Sequence, residues 1–313
     1  MALDLTGMPL VDRPDFEDLL ASGQFGPWSL EAERMHRDGF CVIDMGSPEM
    51  DRLCESIIDQ LSLRLAPEIA QWCQQQAGPP RLQDGWKDVP EIKTLALLPA
   101  VADLLKHLYG REAFAFQSLN FVVGSQQSTH SDAVHFHSYP NGFMCGVWIA
   151  LEDVSADSGP LAYYPGSHRF PYLSARLLGL SPDQLRNEEH PQVLFESTWQ
   201  QQIAHAGLHQ ESFLPRRGQV LIWHANLLHG GQPVTNPLAT RWSQVVHYYF
   251  DQCLYTTPMF SFAADQGGDD LRNPYRIENG RRRYTTEEWQ AMGLTAPGAF
   301  RQASRPVERL RHA

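Results

Sequence analysis

The chain is short of positive charge: 25 Lys and Arg stand against 36 Asp and Glu, a formal net charge of −11. No net positive field would gather a phosphate backbone, which argues against a nucleic-acid partner. Long apolar runs are missing as well. None approaches the ~20 residues of a membrane span, and the opening MALDLTGMPLVDRPDFEDLL lacks the basic segment and apolar stretch of a signal peptide. The five cysteines (Cys41, Cys54, Cys73, Cys145, Cys253) are odd in number, widely spaced and without a CxxC pair. That pattern disfavours a disulfide framework or a structural zinc site and fits a reducing compartment. A cytoplasmic location with no membrane partner is expected. Internal repeats, low-complexity tracts, a phosphate-cradling glycine loop and a Ser–His–Asp triad are absent too.

What is present suffices for a packed core: 42% hydrophobic and 11% aromatic residues in 313. Residues 29–38 (SLEAERMHRD) read as a helix stopped by Gly39, followed by a short strand, FCVID. Ser47-Pro48-Glu49 is a helix start, with Ser as N-cap, Pro in the first turn and an acid favoured by the dipole. Apolar positions then recur at helical spacing to about Cys73, with Pro67 as the expected kink or break. A further helix over 97–109 ends at Gly110.

After Gly110 the pattern changes. Segments 113–123, 143–151, 219–223 and 242–250 are short, rich in aromatic and β-branched residues, and bounded by turn formers, which are strand signals. The polar, proline-marked stretch 170–215 reads as an insertion with some helix, and the charged region after 265 as a loop-like tail. Its ENGRRRY run (278–284) reads as a solvated face. The expectation is an α+β chain with a mainly β core.

The chemistry centres on His130-Ser-Asp132, answered 97 residues later by His229. On a strand, positions i and i+2 share a face, so an imidazole and a carboxylate would meet at one point. A distant His completes a facial 2-His-1-carboxylate set, which among metals favours non-haem Fe(II) with open positions. Thirteen histidines leave competitors: His135-Phe-His137 is another same-face pair, and His224 precedes His229 by five residues. Asp132 is the only acid near either pair. Gly230-Gly231 after His229 would permit a tight turn beside a metal. Gln117, in an otherwise apolar strand, is a buried amide that demands partners; Trp148 reads equally well as core. Asn120, Asn226 and His247 are weaker candidates of the same kind.

Four pieces fall in chain order: T-H130-S-D132, then GPLAYYPGSH168R, then LLH229GG, then TR241WS243. Over roughly residues 28–260 the chain resembles the phytanoyl-CoA dioxygenase family of Fe(II)/2-oxoglutarate oxygenases. The resemblance implies a double-stranded β-helix, a squashed antiparallel barrel with iron inside one mouth. It implies one oxygenase domain over 1–313, with the β-helix core at about 113–260, the helical part at 28–110 and the tail at 265–313. His130, Asp132 and His229 match the family's iron ligands. Arg241, twelve residues after the distal His, matches the Arg that binds the far carboxylate of 2-oxoglutarate, a role suited to a planar, permanently charged fork. Ser243 would share its face and add a hydrogen bond; Gln117 and Trp148 would touch the co-substrate. His135, His137, Asn226 and His247 become candidates for the substrate pocket, while PGSH (165–168) reads as a structural turn at the active-site mouth, with His168 not a ligand. With Fe(II), 2-oxoglutarate and O₂, the implied activity is hydroxylation of an unactivated C–H in a small metabolite, releasing succinate and CO₂. Related halogenases have Gly or Ala where Asp132 stands, so oxygen transfer is expected here. The alternatives are a silent β-helix that only binds a ligand, and a cupin-type dioxygenase that does not use 2-oxoglutarate. The latter has no second carboxylate for Arg241 to anchor.

Overall fold

The computed structural model describes residues 3–75 and 78–294. The first part is mostly helical: α1 (Phe16–Ala21), α2 (Ser29–Asp38), β1 (Phe40–Asp44), α3 (Pro48–Arg64), α4 (Ala66–Gln75), β2 (Arg81–Gln83), α5 (Pro90–Leu95) and α6 (Pro99–Tyr109). Gly39, at φ 83°, ends α2 in the left-handed region that glycine adopts without strain. Ser47 caps α3 by accepting the Met50 N–H at 3.1 Å. The expected break at Pro67 falls two residues earlier, at Leu65. Pro67 instead sits in the first turn of α4, where its missing N–H leaves no bond unmade.

Strands dominate thereafter: β3 (Ala113–Phe121), β4 (His137–Tyr139), β5 (Met144–Ala150) and β6 (Leu161–Tyr163) precede α7 (Pro182–Asn187) and α8 (Val193–Ala206). Then come β7 (Glu211–Phe213), β8 (Gln219–His224), β9 (His229–Gly231), β10 (Ser243–Phe250) and β11 (Leu254–Thr256). The short β12 (Leu271–Arg272), β13 (Tyr275–Arg276), β14 (Arg281–Arg282) and α9 (Thr286–Ala291) follow.

The largest sheet runs β1-β8-β5-β10-β3-β2, antiparallel throughout. It is buried on both faces, so β5 and β10 have no exposed position. One face packs on the helices, where Ile57, Ile92, Leu104 and Leu108 meet Val147, Ile149, Val220 and Val246. The other carries Trp148, Leu221, Trp223 and Val245 against Leu161, Tyr163 and Phe213 of the small sheet β7-β6-β9. A third sheet runs β12-β11-β4, with Tyr255 of β11 buried in the main core. The result is an α+β fold with antiparallel sheets.

The 170–215 stretch has its own core. Phe195, Trp199 and Ile203 of α8 pack with Leu185, Val134, Leu228 and Met259. The tail departs from expectation. Ile277, Tyr284 and Trp289 are buried in the main core, and Arg283, 7% exposed at its side chain, pairs with Asp251 at 2.9 Å. ENGRRRY is therefore not simply a solvated face. Its anchors, spaced seven and five residues apart, have neither helical nor strand period. Residues 295–313 of the expected tail lie outside the described residues.

Candidate metal centre and its buried arginine

His130 and His229 are brought together by backbone. Each donates its N–H to the other's carbonyl at 2.9 Å, forming an isolated bridge, and the ring centroids lie 4.4 Å apart. Asp132 converges with them by a different route from the strand face expected of His-x-Asp. After the bridge, Ser131 is extended (φ −112°, ψ 131°) and its hydroxyl caps a 3₁₀ turn that begins at Asp132. The turn aims the carboxylate back at the imidazoles. His130 Nε2 lies 3.7 Å from Asp132 Oδ1 and His229 Nε2 lies 3.9 Å from Oδ2. Among the described residues these three, all buried, form the only cluster of His, Cys, Asp or Glu able to hold a metal ion.

The imidazoles are pre-set as ligands. His130 Nδ1 bonds the Ser128 carbonyl at 2.8 Å and His229 Nδ1 that of Leu227 at 3.0 Å. A carbonyl only accepts, so each Nδ1 carries the proton and each Nε2 presents its lone pair. Burial, then the neighbouring His229, pushes His130 down to about 3, which keeps it neutral. Burial works to raise the Asp132 carboxyl, but the imidazoles of His229, His247 and His130 outweigh it and hold the group anionic, below the ordinary carboxylate range.

Gly230 and Gly231 make no tight turn. They lie in β9, where a Cβ on Gly230 would meet the Gln127 carbonyl at 2.7 Å and one on Gly231 the Ser125 hydroxyl at 2.6 Å. They are glycines because segment 125–128 crosses too closely for side chains.

The competing histidines go elsewhere. His135 Nε2 meets Gln192 Oε1 and His137 Nε2 meets Asn141 Oδ1, both at 3.1 Å. His224 accepts the Asn226 N–H at Nδ1, so its Nε2–H points to Asp12 Oδ2 at 3.2 Å on the helical side of the sheet. His168 packs against Gly39, where a Cβ would stand 2.4 Å from its Nδ1. The PGSH turn braces the centre from behind, since Ser167 Oγ accepts the Leu228 N–H at 2.8 Å. Asn226 accepts from Ser131 Oγ at 3.0 Å and donates to the carbonyls of His168 and Phe170. It ties the Asp132 turn to the PGSH turn, which leaves its amide committed to protein groups rather than to a substrate. Asn120 donates to Gln244 on the helical side. Gln117 reaches His247, with Oε1 2.9 Å from Nδ1, and His247 Nε2 stands 3.5 Å from Asp132 Oδ2. Both belong to the surroundings of the carboxylate.

Arg241 is 2% exposed. It donates to the Gly159 carbonyl at 3.1 Å, and its guanidinium carbon lies 5.6 Å from the Trp148 ring and 5.8 Å from Phe121. Among the described residues its Nε has no partner, nor has the Ser243 hydroxyl two residues on. Burial alone pushes its pKa down to about 10. Trp148 is thus the wall of the arginine's chamber.

Reasoning from residue types alone misses Trp223, whose Nε1 donates to Asp132 Oδ2 at 2.8 Å. It alternates with Leu221 on β8 and so faces the barrel interior, a signal legible in QVLIW. It also misses Gln192, the residue that precedes α8, and Glu196 within it, which both bond Ser128 Oγ and so brace the loop whose carbonyl orients His130.

The chain has the fold of the Fe/2-oxoglutarate oxygenases, with a buried His-Asp-His triad. The chain belongs to the phytanoyl-CoA dioxygenase (PhyH) family, whose model matches residues 35–241. It is 32% identical over 83 residues to phytanoyl-CoA dioxygenase domain-containing protein 1 of Danio rerio, covering 25% of this chain and 28% of that one. The Rattus norvegicus protein of the same name is 26% identical over 152 residues, covering 45% and 46%. The chain thus spans under half the length of these curated relatives. Among solved structures, the epimerase SnoN in complex with Fe³⁺, α-ketoglutarate and nogalamycin RO aligns over 81% of this chain and 96% of its own, at a TM-score of 0.54 and 18% identity. The α-ketoglutarate-dependent carbocyclase SnoK of nogalamycin biosynthesis aligns over 78% and 92%, at 0.52 and 16%. At these identities the likeness is one of fold. No helix among the described residues is long and apolar enough to cross a membrane.

Proposed function

We propose that this chain is an Fe(II)- and 2-oxoglutarate-dependent dioxygenase that hydroxylates an unactivated C–H of a small-molecule metabolite. The observation that carries the reading is Arg241, a buried cation with no carboxylate partner among the described residues, in a chamber that also holds the unpartnered Ser243 hydroxyl. A buried unpaired charge is strongly unfavourable, so the chamber suits a carboxylate ligand. Arg241 and Ser243 would take the distal carboxylate of 2-oxoglutarate, with Trp148 as the wall.

Nε2 of His130, Nε2 of His229 and one oxygen of Asp132 would hold the metal. Two neutral imidazoles and one carboxylate contribute a single negative charge. With a dication, a dianionic co-substrate and Arg241, the buried charges sum to zero. Bound there, Fe(II) and 2-oxoglutarate supply the oxidation of a C–H bond by O₂, with release of succinate and CO₂. The protein's part is to orient and to exclude water. Trp148, Leu221 and Val245, buried in one cluster with Trp223, would help to exclude water. His135 and His137, beside the Asp132 turn, would line the substrate side.

Oxygen transfer is the narrower element of the proposal. It rests on Asp132 filling the third protein ligand position, which leaves no opening for halide. The test is succinate release from 2-oxoglutarate with Fe(II) and O₂ across a metabolite panel, with ¹⁸O₂ to trace the oxygen. Succinate coupled to a labelled hydroxyl, abolished by His229→Ala, is expected. Succinate formation that survives His229→Ala, or product without label, would contradict it.

A further inference from the structure

One row of the large sheet is devoted to the outer oxygen of Asp132. Gln117 of β3, His247 of β10, Gly146 of β5 and Trp223 of β8 are successive cross-strand partners. Side chains in register on neighbouring strands share a face, and this row ends on the carboxylate. Trp223 Nε1 donates to Oδ2 at 2.8 Å, and His247 Nε2 approaches the same oxygen at 3.5 Å. His247 is held from behind by Gln117 at 2.9 Å. The register slips between His247 and Tyr248, a bulge that re-aims side chains beside a site.

Gly146 supplies the clearance. A Cβ there would stand 2.2 Å from Trp223 Cε2, 2.3 Å from Cζ2 and 2.7 Å from Nε1. The indole therefore lies across the β5 backbone, and any side chain at 146 would push its N–H off Asp132.

We infer that Trp223 is a positioning residue that holds Asp132 as a one-oxygen ligand, and that Gly146 is glycine to admit the indole. With Oδ2 engaged by the Trp223 N–H, Oδ1 is the oxygen left to offer. A carboxylate free to rotate would chelate with both and close a position needed by the co-substrate or O₂. The inference rests on the proposed function above, through Asp132 as a metal ligand.

The test is anaerobic titration of metal-free protein with Fe(II), and with Co(II) as a coordination-sensitive visible probe. Trp223→Phe and Gly146→Ala should each weaken binding about 10- to 100-fold, the usual effect of removing an outer-shell partner, and should alter the Co(II) spectrum. Unchanged affinity and spectrum in folded Trp223→Phe and Gly146→Ala would overturn the inference. Gly146→Ala, which keeps the indole but displaces it, decides the matter should the Trp223 variant fail to fold. A wild-type chain that binds neither metal would refute the proposed function itself; a wild type that binds while the variants match it would refute only the positioning role.

Discussion

Arg241→Met should make the ligand-free protein more stable and abolish its response to 2-oxoglutarate. In the fold the guanidinium has no carboxylate among the described residues, and burial lowers its pKa from 12.5 to about 10. At neutral pH the side chain is charged folded and unfolded, so the folded state carries the whole penalty. A shift of that size corresponds to roughly 3 kcal/mol at 1.36 kcal/mol per unit. Methionine fills similar volume against Trp148 and Phe121, but the Gly159 carbonyl loses its donor, which costs about 1 kcal/mol. The net gain is about 2 kcal/mol, a rise in Tm of roughly 3 °C for a chain this long. The assay is thermal unfolding under nitrogen with Fe(II), with and without 2-oxoglutarate. In the wild type, co-substrate at a hundredfold excess over its Kd should add about 2.7 kcal/mol; in the variant it should add nothing. A variant that melts below the wild type and still responds to 2-oxoglutarate would show that Arg241 is structural and that the diacid binds elsewhere.

Other outcomes follow from the same geometry. Burial holds His137 and His168 neutral, at about 4 and about 3 against 6.5 when unfolded. Below pH 6.5 the unfolded chain therefore binds more protons, and stability should fall as pH drops from 6.5 toward those values. Each group should account for about 2 kcal/mol by pH 5, seen as lower urea midpoints; a midpoint flat between pH 7 and 5 would contradict this. Asn226→Ala takes the amide donor from the carbonyls of His168 and Phe170 and one partner from Ser131 Oγ, which keeps the Ala225 carbonyl. It should cost about 2–4 kcal/mol by denaturant unfolding and weaken Fe(II) binding; a metal affinity equal to wild type would speak against its bracing role. Trp199→Ala empties the core of the 170–215 stretch, and should cost about 3–5 kcal/mol and increase proteolysis of that stretch; unchanged cleavage would show that α8 is held by other contacts.

Much of this architecture is legible in the amino-acid order itself. Helix caps at Gly39 and Ser47 are local chemistry, and the aromatic, β-branched runs ending near Phe121, Ala150, His224 and Phe250 need only period and composition. His130, Asp132 and His229 do converge as their residue types suggest, but the strand-face argument for it is partly mistaken: the residues meet through a bridge and a 3₁₀ turn rather than along one strand. That depends on how 130 pairs with 229, a non-local register no short pattern encodes. Trp223 on Asp132 spans 91 residues and depends on β8 lying beside β5. The tail's anchors and the contacts of Gln192 and Glu196 with Ser128 are likewise side-chain meetings of distant segments. Asn226, suggestive as a polar residue beside the site, is a bracket because its partners are backbone carbonyls and a hydroxyl from separate turns.

The most direct test is anaerobic addition of Fe(II) and then 2-oxoglutarate to the metal-free chain, following the weak visible charge-transfer absorption of the chelate. The account predicts a saturable band at one equivalent of each, lost in Asp132→Ala and shifted to far higher 2-oxoglutarate concentration in Arg241→Met. Iron bound normally without a band, or a band indifferent to Arg241, would contradict it.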